Sequence, residues 1–197
     1  MNHLIIYAHP NNESFCHAIK EITVNTLTSL GHEVKIRDLY DMNFDPVLSP
    51  EDLTSFKNGG SLPSDIQTEQ EHVKWADVMT FIYPIWWTGL PAIAKGYIDR
   101  VYSYGFAYAP DGEGGYKKLL SGKRGVIINT QGNDEDYYEK IGMKDAMLQT
   151  SDEGILNFCG VEVVDHLFFG SVPFINNEKR KTMLDQVQEN LIRYFEK

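Results

Sequence analysis

Three clusters in this sequence carry side chains suited to holding a ligand, and none of them contains a nucleophile. The first is His9-Pro10-Asn11-Asn12-Glu13-Ser14-Phe15, a polar turn rich in cap-forming residues that opens a helix. Free N–H groups and the dipole at a helix start favour an anion such as phosphate. Ser14 adds a hydroxyl there, and Asn11 or Asn12 an amide. The same residues also fit a helix that is merely capped by Asn12 or Ser14. The second cluster is Pro84-Ile85-Trp86-Trp87-Thr88-Gly89, which holds two of the three tryptophans in the chain. Indoles punctuated by proline and glycine fit the wall of a cleft for a flat aromatic ligand, and equally two core residues under a helix. The third is Asn129-Thr130-Gln131-Gly132, small and polar enough to approach a heterocycle and hydrogen-bond its edge. Tyr137 stands within reach of the same ligand, although Tyr137 and Tyr138 also read as surface tyrosines.

Other chemistries lack their residues. No Ser/His/Asp order, Cys/His pair or metal-ligand spacing stands out among the six histidines. His9 fits a satisfied strand-end histidine, and His166 reads as a structural one. No G-x-G-x-x-G follows the first apolar run, and Gly112-Glu113-Gly114-Gly115-Tyr116-Lys117 fails at the third glycine. Gly122-Lys123 ends like a phosphate-binding P-loop, but Lys117 stands where that loop requires glycine. A net charge of −10 leaves no basic stripe for nucleic acid. No run approaches the roughly 18 apolar residues of a membrane span, and the start lacks the pattern of a signal peptide. Cys16 and Cys159 lie far apart without metal spacing, which fits buried thiols in a reducing cytoplasm.

The elements that must position these clusters are legible as alternating strands and helices. Apolar runs predict strands at 3–8, 77–83, 124–130 and 161–169, and an alternating, edge-like strand at 33–38. Helical spacing covers Ala18 to Leu30, Ile66 to Trp75, Pro91 to Tyr104, Asp145 to Cys159 and Asn177 to Phe195, with Gly31 and Gly160 as stops. Leu39 to Thr68, with Pro46, Pro50, Gly59, Gly60 and Pro63, reads as a long excursion holding one short helix near Glu51 to Phe56. Gly105 to Lys118 reads as irregular, and Gln131 to Tyr138 as a polar loop.

Alternation of this kind predicts one domain over residues 1–197: a three-layer sandwich whose five-stranded parallel sheet has the flavodoxin-like order 2-1-3-4-5. In that order the switch point lies between the first and third strands, so the His9 and Pro84 turns face one crevice.

With the loops so placed, the chain resembles the flavodoxin-like NAD(P)H:quinone oxidoreductases of the DT-diaphorase and modulator-of-drug-activity type. The resemblance is carried by Ala8-His9-Pro10 through Ser14-Phe15, Asp38-Leu39-Tyr40, Met42-Asn43-Phe44, Asp65-Ile66, Glu69-Gln70 and Pro84 through Ala92. Lys95-Gly96, Arg100-Val101, Phe106-Ala107-Tyr108 and Gly154 through Gly160 continue it along nearly the whole chain.

This resemblance implies a flavin, FAD or alternatively FMN, held between the loops of the first, third and fourth strands. It implies NAD(P)H as co-substrate, a quinone-like acceptor, ping-pong hydride transfer, and a homodimer with active sites at its interface. His9, Ser14, Phe15 and Cys16 match the pyrophosphate loop, with Cys16 where mammalian members usually carry Asn. Pro84, Ile85, Trp86, Trp87 and Thr88 match the isoalloxazine loop, with Thr88 replacing a common aromatic. Asn129, Thr130, Gln131 and Gly132 match a Thr-Thr-Gly-Gly loop in part. Tyr137 matches a tyrosine thought to take part in hydride transfer with a nearby histidine, whose region here is Ile141-Gly142-Met143. Lys179 or Arg180 stands where FAD members hold the adenine. Some relatives serve instead as ancillary subunits of potassium-efflux antiporters, which is the alternative role. A carrier flavodoxin fits less well, since the excursion and the aromatic loops exceed a carrier's needs.

Overall fold

Residues 1–58 and 62–196 are described by the computed structural model; Gly59 and Gly60 of the expected excursion lie outside the described residues. In chain order the elements are β1 (Asn2–Tyr7), α1 (Phe15–Ser29), β2 (Glu33–Asp38), α2 (Pro50–Asn58), α3 (Ser64–Trp75), β3 (Val78–Pro84) and α4 (Ala92–Val101). These are followed by β4 (Tyr108–Pro110), β5 (Tyr116–Lys118), β6 (Arg124–Thr130), α5 (Glu135–Lys140), α6 (Met143–Leu148) and a π-helical stretch, Gln149–Asn157. β7 (Glu162–Phe169), a 3₁₀ turn (Val172–Phe174) and α7 (Asn177–Phe195) complete the fold. The main sheet runs β2-β1-β3-β6-β7, all parallel, which is the expected 2-1-3-4-5 order of its five strands.

Strand alternation sorts the apolar side chains into two layers. Leu4, Ile6, Met79, Phe81, Tyr83 and Ile127 pack against Ile66 and Val73 of α3, Tyr97 and Val101 of α4, and Leu156. Ile5, Tyr7, Val78, Ile82, Val126 and Ile128 pack on the other face against Ile19 and Leu27 of α1 and Val187, Leu191 and Phe195 of α7. Because β1 and β3 are buried from end to end, their carboxyl ends hold the two loops of the crevice rigidly side by side.

The excursion between β2 and α3 is tied down by charge and by a close approach. Arg100, buried on α4, donates to Asp52 of α2 at 2.8 Å, to Asp65 at 2.9 Å and to the Asp45 carbonyl at 2.8 Å. Gly96 lets the chain at Pro46 lie directly on α4, since a Cβ there would overlap the Pro46 carbonyl and ring. Arg37 pairs with buried Glu69 at 2.9 Å, and the Tyr97 hydroxyl donates to the same carboxylate at 3.3 Å.

The structure corrects three element expectations. Gly105 to Lys118 contains a short antiparallel hairpin, β4 with β5. The polar loop after β6 winds into α5, because the Asp134 side chain caps it by accepting from Asp136 N–H. The helix expected from Pro91 begins at Ala92 and ends at Val101, with Pro91 in extended conformation as its cap.

Candidate functional site

The first cluster is a shaped helix start. Asn11 Oδ1 accepts from Glu13 N–H at 2.8 Å, folding the turn, and Ser14 Oγ accepts from His17 N–H at 3.1 Å as the N-cap of α1. The N–H groups of Phe15 and Cys16, the first two helical residues, have no acceptor within the helix. They are left open at the start of α1. His9 Nδ1 accepts from Asn11 N–H at 3.0 Å. Burial lowers its pKa, opposed by the Asn11 backbone bond, so a neutral imidazole lines the crevice rather than a cation.

Across the switch point, β3 ends at Pro84, and Ile85 N–H still reaches the Thr130 carbonyl at 2.8 Å. The chain then reverses in a tight turn in which Trp86 and Gly89 exchange backbone bonds of 3.1 and 3.2 Å. Trp87 and Thr88 fill its two central positions with φ of 51° and 59°. Paired left-handed residues make this a type I′ turn, whose usual occupants are Asn and Gly. A β-branched threonine there is strained, and such strain gathers at ligand clamps. Trp87 is fully exposed at 101%, and Trp86 lies 6.1 Å from the His9 ring between centroids. The indoles are therefore not core.

The third cluster closes the floor. Thr130 Oγ1 and Cys16 Sγ are 3.1 Å apart, joining β6 to the first turn of α1. Burial pushes the Cys16 thiol up to about 12, against the Thr130 hydrogen bond, so it packs and does not react. Gln131 N–H is committed to the Phe169 carbonyl at 2.9 Å, and Gly89 N–H to Trp86. The N–H groups left to face a ligand are those of Trp87, Thr88 and Gly132. Gln131 Oε1 is buried without a partner at this loop, an acceptor placed for a ligand N–H. Tyr137, on α5, is half exposed and 6.1 Å from Tyr138; Met143, where a relay histidine was sought, opens α6.

Contacts thus join the three loops, His9 to Trp86, Ile85 to Thr130 and Cys16 to Thr130, while Tyr137 lies on α5, which follows the third loop. Beside the first loop runs a groove of about 470 Å³ lined by Ser14, Phe15, Val172, Pro173, Arg180 and Lys181. Arg180 donates to the Val172 carbonyl at 3.2 Å, while its buried Nε has no partner. Of the two cations named from sequence it is Arg180, not Lys179, that lines this groove. The participation of Val172 and Pro173 had no local signal.

A sequence profile described as the flavodoxin-like fold matches residues 1–191. An uncharacterized NAD(P)H oxidoreductase of Haemophilus influenzae is 42% identical over 94% of this chain and 91% of its own length. The human ribosyldihydronicotinamide dehydrogenase [quinone] is 34% identical over 92% and 86%. Among solved structures, an NAD(P)H:quinone oxidoreductase from Methanothermobacter marburgensis superposes with a TM-score of 0.87, 30% identity and 96% coverage of both chains. The profile match, identity over nearly the full length and the superposition lead to one conclusion: the chain belongs to the flavodoxin-like family of NAD(P)H:quinone oxidoreductases.

Proposed function

We propose that this oxidoreductase holds FAD in the crevice and transfers hydride from NAD(P)H to a quinone-like acceptor in two alternating half-reactions. The observation that carries the reading is the strained Trp86–Gly89 turn. Its Trp86 lies beside His9 of the first turn, and Ile85 N–H at its entry bonds the Thr130 carbonyl, next to Gln131 with its unpartnered oxygen. A bound flavin supplies the hydride-accepting and hydride-donating ring; everything else is the work of this chain. Phe15 and Cys16 N–H groups bind the phosphates. Trp87, Thr88 and Gly132 N–H groups point oriented donors at the pyrimidine edge, where they stabilise negative charge on the reduced ring. Trp86 and Trp87 exclude water from one side. The absence of a protein nucleophile fits this chemistry, because hydride transfer needs none.

FAD is favoured over FMN by the groove at Arg180. Its volume falls within the roughly 300–1,000 Å³ of ligand clefts, it continues directly from the phosphate-binding turn, and it presents two cations on an otherwise acidic protein. Val47, Leu48, Trp87, Tyr137, Ile141 and Phe174 are large apolar side chains left exposed. Covering such side chains suits a second copy of the chain, so the homodimer belongs to the proposal. No helix among the described residues is long and apolar enough to cross a membrane. Steady-state kinetics with NADPH and a soluble quinone test the mechanism: parallel double-reciprocal lines are expected, and intersecting lines refute the alternating scheme.

A further inference from the structure

Behind the Trp86–Gly89 turn lies a buried polar chain that the chemistry above does not use. His166 on β7 has a side chain 4% exposed, and its two ring nitrogens face two acceptors. Nδ1 is 2.8 Å from Asp152 Oδ1 and Nε2 is 2.7 Å from Asn129 Oδ1. The Asn129 amide is oriented by its other end, which donates to the Tyr83 carbonyl at 3.1 Å. With the oxygen of Asn129 thereby turned to the ring, both contacts are hydrogen bonds only when both ring nitrogens carry protons. The Ser151 hydroxyl, with one proton, lies 2.6 Å from the Met147 carbonyl and 2.8 Å from Asp152 Oδ1. Ser151 and Asp152 come from the π-helical stretch, whose extra residue per turn brings both side chains inward.

The chain ends at the peptide that enters the turn. The Tyr83 carbonyl belongs to the bond preceding Pro84, and a small cavity of about 30 Å³ separates Asn129 and Ser151 from Ile85, Thr88 and Gly89. The strand end that leads into the strained turn is therefore anchored by Asn129, and Asn129 is held by His166.

We infer that His166, clamped by Asp152, is a positioning residue that sets the entry to the Pro84–Gly89 loop through Asn129 and the Tyr83 carbonyl, and so how tightly the crevice holds its ligand. The inference rests on the flavin reading for the identity of that ligand. Asp152 approaches the ring from the π-helical stretch, and Asn129 from β6. Phe168 stacks on the ring at 4.0 Å. Removing the ring leaves the buried Asn129 oxygen and the Asp152 carboxylate without this partner, which frees the chain at both ends.

The test uses the full-length protein and two readouts. His166→Gln, which keeps a donor for Asn129 but loses the ring's span to Asp152, should weaken FAD by about tenfold in titrations followed by flavin fluorescence. Asp152→Asn should do the same, and the double variant should be no worse than either single. In flavin-free protein, tryptophan emission should shift in His166→Gln. Unchanged FAD affinity together with unchanged tryptophan emission in folded His166→Gln overturns the inference. If wild type takes up no FAD, the flavin reading fails, and the tryptophan arm alone decides whether His166 sets the loop.

Discussion

Replacing Thr88 tests whether the crevice turn is under strain. Thr88 sits at φ 59° beside Trp87 at 51°, and its hydroxyl donates to the Trp87 carbonyl at 2.7 Å. Left-handed backbone costs an L-residue roughly 1–2 kcal/mol, most for a β-branched one, whereas Asn enters that region readily. Thr88→Asn should therefore regain about 1 kcal/mol, less a few tenths for an exposed hydroxyl bond. In a chain of this length that corresponds to a rise of about 2–4 °C in Tm. Thr88→Val keeps the branch and loses the hydroxyl, so its Tm should fall or stay level. Thr88→Gly should gain less than Asn, because glycine returns about 0.4–1 kcal/mol of unfolded-state entropy. Calorimetry on flavin-free protein reads all three. If Asn and Val shift Tm in the same direction by the same amount, the strain argument is wrong.

Other perturbations separate scaffold from site. Ser14→Ala removes the α1 cap and should cost about 1 kcal/mol in chemical denaturation while also weakening phosphate-bearing ligands. Gly96→Ala should destabilise by about 3 kcal/mol or more, since the new methyl meets Pro46 backbone that cannot retreat without releasing the excursion; a wild-type midpoint would contradict the packing. Arg180→Ala should weaken FAD by about tenfold and leave FMN unchanged in parallel titrations, because it touches only the outer groove. Burial, aided by the nearby His32, lowers the pKa of His3 to about 3. A depressed base of this kind stabilises fully above its unfolded value near 6.5 and loses that contribution as pH falls towards about 3. His3→Phe, which can keep the edge contact with Phe195, should flatten this acid limb, worth at most about 5 kcal/mol, in pH-dependent unfolding.

Much of the fold was legible because β1, β3 and β6 are largely buried on both faces and read as apolar runs, while β2 alternates as a half-exposed edge; β2 and β6 match their expected limits residue for residue. The β4–β5 hairpin was not, since three-residue strands carry no period and Tyr108 and Tyr116 pair by an edge contact of 5.7 Å between rings. The site was legible where chemistry follows from chain order: Ser14 ahead of a helix, and Trp86-Trp87 after a strand. It was illegible where partners converge through the fold. His166 has a structural look in sequence because Asp152 and Asn129 lie 14 and 37 residues away. The π-helical winding that turns Ser151 and Asp152 inward leaves the same sequence pattern as an ordinary helix. The motif residues Gly96, Arg100, Asp65 and Glu69 prove to be fastenings of the excursion.

The central claim is that the crevice between the His9 and Pro84 turns holds FAD. The most direct measurement is the absorption spectrum of the purified protein, with any released flavin identified by chromatography and flavin-free protein titrated with FAD and FMN. The account predicts a yellow protein that releases FAD, and flavin-free protein that binds FAD more tightly than FMN and loses this preference on Arg180→Ala. A colourless protein that takes up neither flavin contradicts it.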